Sequence, residues 1–246
     1  MGLKDLFAGW SSRSSEKTLA RNIARLTSQN AQHEDRLRAA EILIEMDTEE
    51  AYLGLLKRYD MTLEKGYMDR DEKSYVKELL VSRGKAVVEP VRKFLKQSNN
   101  VNWPERILAD VLGDDSEVVS VLLDVLESER DAGDMKGPKR AKLLGLLIKY
   151  PPDPRISEKA ASFLHDFDES VRFTAVEVLD AQGDGNHVKE LVEVMVGDEE
   201  ESGRVRMRIL ETLVRHKWPI GKWRPKVAAW LPEGYAVKGK RIIEVD

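Results

Sequence analysis

Cysteine is absent from this chain of 246 residues, which excludes disulfide bonds, thiolate metal ligands and a cysteine nucleophile. Histidine is scarce, because the chain has four histidines that lie far apart in the sequence. We therefore expect no metal site and no cofactor. The longest apolar run, residues 143–148, is much shorter than the roughly 18 residues that a membrane-spanning helix needs. No signal peptide is recognisable at the N-terminus, so we expect a cytoplasmic protein without a membrane span.

A strong excess of one charge is also lacking. The chain has 40 Lys and Arg against 44 Asp and Glu, which gives a net charge of −4. This balance is not the overall signature of a nucleic-acid-binding protein, although it leaves room for a local basic patch. The charged fraction of 34% exceeds the usual quarter or so and suits a thin array with much surface per residue. We expect such a protein to be a monomer.

A short signature, an acidic residue followed by any residue and then leucine, recurs through the chain. Successive copies lie 32 to 37 residues apart. A fixed period in this range is typical of a solenoid of stacked repeats. The copies are Glu41–Leu43, Glu78–Leu80, Asp110–Leu112, Glu177–Leu179 and Glu211–Leu213, with a sixth copy, residues 145–147, that lacks the acid.

Apolar residues spaced three and four apart predict two helices in each repeat, named A and B here in chain order. Asp47 is expected to cap the first B helix, and a further helix over residues 16–27 is expected to cap the array. The predicted A helices cover residues 33–46, 71–83, 104–112, 138–149, 169–181 and 203–217, and the predicted B helices cover residues 48–59, 86–97, 116–128, 154–166, 186–196 and 222–230.

Segments of several repeats resemble the consensus of HEAT repeats, in particular the short HEAT-like type first described in phycobilin lyases. Asp35–Leu43, Asp168–Leu179 and Val205–Leu213 are similar to the A-helix consensus, and Gly84–Leu95 to the B-helix consensus. The resemblance covers residues 31–231. It implies an all-α fold, a right-handed α-solenoid (α-α superhelix) of about six HEAT-like helical hairpins. Tetratricopeptide repeats share the period, but their aromatic and small-residue positions are not found at a common offset, so they rank second.

The expected organisation has three parts. Residues 1–15 form a flexible or docking N-terminal segment. Residues 16–231 form the repeat array. Residues 232–246 form a basic C-terminal tail or a small hairpin around Gly239.

HEAT arrays usually line their concave side with B helices, so the resemblance implies that a partner binds there. The predicted exposed stripes of these helices carry charges of both signs, and a mixed surface suits a protein partner better than a polyanion. We therefore predict a non-enzymatic scaffold or adaptor that binds another protein, whose identity the sequence leaves open. The candidate groove residues are Arg92, Lys93, Lys96, Glu117, Asp124, Arg155, Glu158, Lys159, Lys189 and Glu193.

The stretch from Arg215 to Arg241 contains eight basic residues against one acidic residue, Glu233, with tryptophans among them. Basic charge combined with aromatic rings can bind a phosphate backbone and stack on bases, so nucleic-acid or polyanion binding is the alternative function. The favoured interpretation is that the tryptophans seal the last repeat, which must cover an open core. The residues of this candidate patch are Lys217, Trp218, Lys222, Trp223, Arg224, Lys226, Lys238, Lys240 and Arg241.

Enzymes built on HEAT-like repeats form a third class. Deoxyhypusine hydroxylases hold a di-iron site with four His-Glu pairs, whereas this chain has one, His33-Glu34. DNA glycosylases of this fold use tryptophans and a carboxylate, for which Trp103 and Asp110 are the candidates, and phycobilin lyases imply a lyase. A lyase or a glycosylase-like enzyme is the least favoured interpretation, and we predict no catalytic residues.

Overall fold

The computed structural model describes residues 3–130 and 137–245, with side chains from Ser14 onward. The side chains of residues 1–13, in the predicted docking segment, lie outside the described residues. The described chain is mostly helical, as predicted. It divides into two compact units, Met1–Val118 and Val119–Asp246. No described helix is both long enough and apolar enough to cross a bilayer.

Helices account for most of the first unit. They are α1 (Leu3–Leu26), α2 (His33–Met46), α3 (Glu49–Leu56), α4 (Gly66–Val81), α5 (Val88–Gln97) and α6 (Asn102–Leu112), and the unit boundary falls within α7 (Asp115–Arg130). Short 3₁₀-helices follow α3 (Lys57–Asp60) and precede α5 (Gly84–Val87). The A helix α4 contacts the A helices α2 and α6, and the B helix α3 contacts the B helix α5.

The junction between α2 and α3 is set by local hydrogen bonds. The Thr48 hydroxyl accepts a hydrogen bond from the Ala51 N–H at 3.3 Å and so caps α3. The prediction that Asp47 caps this helix is wrong, because Asp47 ends α2 in the left-handed region with φ 52°. A side chain one residue closer to the helix therefore satisfies its free N–H.

The recurring acid–X–Leu signature has a packing role. The Glu41 carboxylate is exposed and accepts a hydrogen bond from the Tyr75 hydroxyl of the next A helix at 2.9 Å. Asp110 is similarly exposed and forms an ion pair with Lys77. The signature thus places an acid at the surface and a leucine inside. The leucines that are buried are Leu43, Leu80, Leu147, Leu179 and Leu213, while Leu112 is half-buried.

A buried ionic network ties α2, α4 and the 3₁₀-helix after α3 together. The Glu72 carboxylate, 1% exposed, accepts hydrogen bonds from Arg36 Nη2 at 2.7 Å and from Arg58 Nη2 at 3.0 Å. Arg58, with no exposed surface, also donates to Asp69 at 2.9 Å, and Lys73 donates to the other Asp69 oxygen at 2.7 Å. Such charges are tolerated in a core because each one is paired and hydrogen-bonded.

The protonation of Glu72 follows from this network. Burial by itself raises the pKa of Glu72, but hydrogen bonds from Arg36 and His33 and the positive charge of Arg58 outweigh it. The net result is a pKa below the ordinary value for a glutamate. Glu72 is therefore ionised at neutral pH and serves as the counter-charge of two buried guanidinium groups.

The second unit is also mainly helical. Its helices are α8 (Gly137–Leu147), α9 (Pro154–Ala161), α10 (Glu169–Gln182), α11 (Val188–Val196), α12 (Gly203–His216) and α13 (Arg224–Trp230). The A helix α10 contacts the A helices α8 and α12, and the B helix α11 contacts the B helix α13. The B helix α9 ends earlier than predicted, because the chain continues in tighter turns that keep Phe163 and Leu164 buried.

An antiparallel hairpin completes the second unit. β1 (Tyr235–Lys238) pairs with β2 (Arg241–Glu244), and Gly239 turns between them with φ 64°. Of the two alternatives for residues 232–246, the described residues therefore form a hairpin. β2 contacts α12, and the Ile220 N–H donates to the Lys240 carbonyl at 2.8 Å. The hairpin is thus held against α12 and the segment that follows it.

Candidate functional site

The predicted groove residues lie on the B helices α5, α7, α9 and α11, and all ten are exposed or half-buried. Several of them form ion pairs with charges on neighbouring B helices. Lys93 of α5 pairs with Glu49 of α3, and Lys159 of α9 pairs with Glu127 of α7. These contacts link neighbouring predicted B helices within each unit.

Most of the remaining groove charges have partners close by. Arg155 binds the Asp153 carboxylate at 2.6 Å and donates to the Ser120 hydroxyl at 2.8 Å. Lys85 pairs with Glu117 at 3.1 Å. Looser pairs join Arg92 to Glu89 at 3.3 Å and Lys189 to Glu193 at 3.9 Å, while Lys96 and Asp124 also have polar partners. Glu158 is exposed.

The carboxy-terminal end has a different charge pattern. Here seven basic residues are exposed, and within the described chain none of them forms an ion pair with a carboxylate. The eighth basic residue, Arg215, pairs with Asp180. We call the seven the carboxy-terminal basic surface: Lys217, Lys222, Arg224, Lys226, Lys238, Lys240 and Arg241.

Aliphatic residues close the core at this end. Ile220, Val227 and Ile242 are 1%, 0% and 2% exposed, respectively. The tryptophans that the sequence analysis assigned to the seal, Trp218, Trp223 and Trp230, are each only half-buried. Aromatic surface is therefore presented to solvent beside the basic residues.

A cleft of about 430 Å³ lies at Lys222 of this surface, between the start of α11 and the segment after α12. Its principal side chains are those of Asn186, Lys189, Trp218, Lys222 and Trp223. The Lys222 ammonium lies 5.2 Å from the centre of the Trp223 ring, which is within cation–π range. Positive charge and aromatic rings thus meet in one concave site.

The end of α12 positions Trp218 at this cleft. Lys217 is left-handed with φ 55°, its N–H donates to the Val214 carbonyl, and the Trp218 N–H donates to the Leu213 carbonyl, both at 3.1 Å. This pair of bonds is a Schellman motif, which ends a helix and turns the chain sharply. Gly185 faces the ring, where a Cβ would lie 3.0 Å from Trp218 Nε1.

The His216 ring stacks on one face of the Trp218 indole and so fixes its orientation. The two rings stack with their centres 4.4 Å apart and their planes 14° apart. His216 Nε2 donates to the Asp180 carboxylate at 2.9 Å, and Asp180 also binds Arg208 at 2.7 Å. Sequence reasoning missed the role of Asp180. The signal that could have revealed it is the spacing, because its partners lie about one repeat length further along the chain.

Another cleft, of about 810 Å³, lies between the segment after α9, α10, the end of α11 and the loop after α11. Phe167 is 79% exposed at this cleft. Burial by itself raises the pKa of Glu200, but hydrogen bonds from Arg172 and from the Ser202 N–H lower it below its ordinary value overall. The ion pair of Glu200 with Arg172, at 2.7 Å, holds the acidic loop beside Phe167.

The residues considered for enzymatic roles have structural partners. The Trp103 ring stacks on Tyr59 with centres 5.6 Å apart, and the Arg106 guanidinium lies over it. Asp110 pairs with Lys77. In the described residues no group of three or more His, Asp and Glu side chains is arranged to hold a metal ion.

Comparison with models of known protein families and with curated protein sequences gave no match.

Proposed function

We propose that this chain is a non-enzymatic binding protein, a HEAT-like α-solenoid that binds a polyanion through its carboxy-terminal basic surface. The observation that carries the proposal is the set of seven exposed basic side chains without a carboxylate partner in the described chain. The candidate groove residues on the B helices differ from this surface, because most of their charges are paired. A surface of uncompensated positive charge on a protein of net charge −4 suits a ligand rich in negative charge.

The solenoid part of the proposal is supported by the contacts within each unit. A helices contact A helices of the next repeat, and B helices contact B helices. Polar contacts also join residues one repeat apart, such as Tyr75 with Glu41 and Arg155 with Ser120. Regular stacking of this kind leaves the end of an array as a distinct surface.

The test is binding of a fluorescently labelled 20-nucleotide single-stranded oligonucleotide, followed by anisotropy in 50 mM salt. Low salt is chosen because phosphate contacts are strongest there. We expect the triple variant K222Q/K226Q/K240Q to bind about tenfold or more weakly than the unmodified protein, since it loses up to three phosphate contacts.

The matched control is the triple variant K57Q/K65Q/K142Q. It has the same change in net charge, and its three lysines are exposed but lie outside the basic surface. We expect nearly unchanged binding for this variant. Equal losses for the two variants, or no binding by the unmodified protein at low salt, would contradict the proposal.

A partner protein is the second candidate ligand, and the exposure of Phe167 favours it. Phe167 is the most exposed of the large hydrophobic side chains in the described chain, at 79%, and it lines a cleft of about 810 Å³. The B-helix surface predicted from the sequence is a weaker candidate, because pairs such as Lys93 with Glu49 already engage its charges.

This second candidate is tested by placing a photocrosslinking amino acid at position 167 in cells. The control places the same amino acid at position 67, where Tyr67 is 64% exposed in the other unit. A protein crosslinked from position 167 and absent from position 67 is the expected result. The same products from both positions, or none from position 167, would count against a partner at this cleft.

A further inference from the structure

We infer that the cleft between Trp218 and Trp223 binds a nucleobase, so that the polyanion is single-stranded nucleic acid. This inference rests on the proposed function, since it names the ligand class of the same surface. The combination that carries it is a concave site lined by two indole rings, by Lys222 of the basic surface and by Lys189.

The size of the cleft suits a nucleotide. Its volume of about 430 Å³ lies at the lower end of the range, about 300 to 1,000 Å³, that is usual for small-molecule sites. A whole duplex is excluded from a site of this size, whereas one base and its phosphate fit. Bases in a duplex are also stacked on one another and offer no free face.

The aromatic groups are arranged to hold a planar ligand. The Trp218 ring is backed by His216 at 4.4 Å and is half-buried at the cleft, so its position is fixed while part of it stays accessible. Pre-organised rings lose little conformational entropy when they bind a base. Stacking on an aromatic side chain is also tolerant of base identity, because every base has a flat π face.

The polar groups of the cleft complement the rest of a nucleotide. The Lys189 and Lys222 ammonium groups provide positive charge for a phosphate, and the contact of Lys189 with Glu193 is loose at 3.9 Å. The Asn186 side chain offers both a donor and an acceptor to a base edge. Polyanions without bases, such as heparin, would use the charges and leave the rings unoccupied.

The local backbone supports the same interpretation. Gly185 has φ 68°, and a Cβ there would lie 3.0 Å from Trp218 Nε1. Glycine at this position therefore allows the close approach of the ring to the loop that precedes α11. Asp180 further anchors the stack through His216.

The experiment compares two labelled probes of equal length and charge, a 20-nucleotide oligothymidylate and a 20-unit oligomer of abasic sites. We expect the oligothymidylate to bind roughly 5- to 100-fold more tightly, the contribution of base–aromatic stacking. In the variant W218A/W223A the oligothymidylate should bind as weakly as the abasic oligomer, whose own affinity stays unchanged. W218F should retain most of the preference, because a phenyl ring can still stack.

Trp230 provides the matched control, since W230A removes another half-buried indole at the same end of the chain but outside the cleft. Thermal melts of each variant verify that it is folded. Equal affinity for the two probes, or tighter binding of a duplex than of the single strand, would overturn the base site and leave polyanion binding intact. Loss of the preference in W230A to the same degree would also overturn it. Absence of binding to either probe would overturn both proposals.

Discussion

Replacing Lys217 with glycine tests whether the basic surface is maintained at the expense of stability. Lys217 ends α12 in the left-handed conformation, with φ 55°. At the equivalent ends of the A helices α6 and α10 the chain has Gly113 with φ 62° and Gly183 with φ 66°. The repeat therefore has a residue suited to this position, and α12 departs from it. Asp47 also ends α2 in the left-handed region, but aspartate tolerates this conformation better than lysine does. The strain at Lys217 therefore points to a function of its side chain.

The magnitude follows from the backbone. A residue with a Cβ loses about 1–2 kcal/mol in the left-handed region, while glycine loses roughly 0.5–1 kcal/mol more backbone entropy on folding. We therefore expect Lys217→Gly to stabilise the second unit by about 0.5–1 kcal/mol. For a chain of this size that is a rise in Tm of roughly 1–4 °C.

The assay is urea and thermal unfolding followed by circular dichroism, with oligonucleotide affinity measured on the same samples. Lys217→Ala is the control, because it removes the charge and keeps the unfavourable backbone conformation. We expect both variants to lose affinity equally and Lys217→Gly alone to gain stability. A destabilised Lys217→Gly, or unchanged affinity in both variants, would refute the reasoning.

Three further predictions concern the buried charges. Glu72→Gln should destabilise the first unit by about 3–5 kcal/mol in urea unfolding, because Arg36 and Arg58 lose their buried counter-charge, whereas Glu64→Gln at an exposed position should have little effect. Since the folded pKa of Glu72 is depressed, the stabilisation from its charge is fully present above about pH 4.5 and is lost as the pH falls through the folded pKa. The difference in unfolding free energy between wild type and Glu72→Gln should therefore shrink on acidification. A difference that stays constant with pH would contradict this linkage. Asp180→Asn should destabilise the second unit by about 1–3 kcal/mol in urea unfolding, since three basic side chains share this carboxylate. Tryptophan fluorescence of the folded variant should also change, because Trp218 is held less firmly.

Local sequence pattern is enough to predict that the chain is helical. It also predicts which residues of the acid–X–Leu signature are buried and which are exposed. Leu43 and Leu80 repeat at helical spacing and are buried, while Glu41 and Glu78 on the same helices are exposed. Such periodicity depends on neighbours in sequence, and one chain is enough to detect it. The cap of α9 was equally predictable, because Asp153 precedes a proline that begins the helix.

The charge network could not be predicted in this way. Glu72 meets Arg58 and Arg36, which precede it by 14 and 36 residues, and no local pattern connects them. Likewise, composition identified the cluster of basic residues but not which of them lack a carboxylate partner. That distinction depends on which helices lie side by side, and it changed the favoured surface from the B helices to the carboxy-terminal end.

The seal of the last repeat shows a third limit of pattern reasoning. Tryptophan near the end of an array suggested a cover for the core, yet Ile220, Val227 and Ile242 fill that role. Ile242 reaches the core because the hairpin packs on α12. Pairing of two four-residue strands around Gly239 was open in the sequence, and their register decides which side chain points inward.

The most direct test of the central claim is the salt dependence of oligonucleotide binding. A plot of log affinity against log salt should have a slope of about −2 to −4 for the unmodified protein, as expected if roughly three to six phosphates contact the basic surface. In K222Q/K226Q/K240Q the slope should be shallower by about 2, while K57Q/K65Q/K142Q should keep the original slope. Equal slopes for all three proteins, or an affinity that does not change with salt, would contradict polyanion binding at this surface.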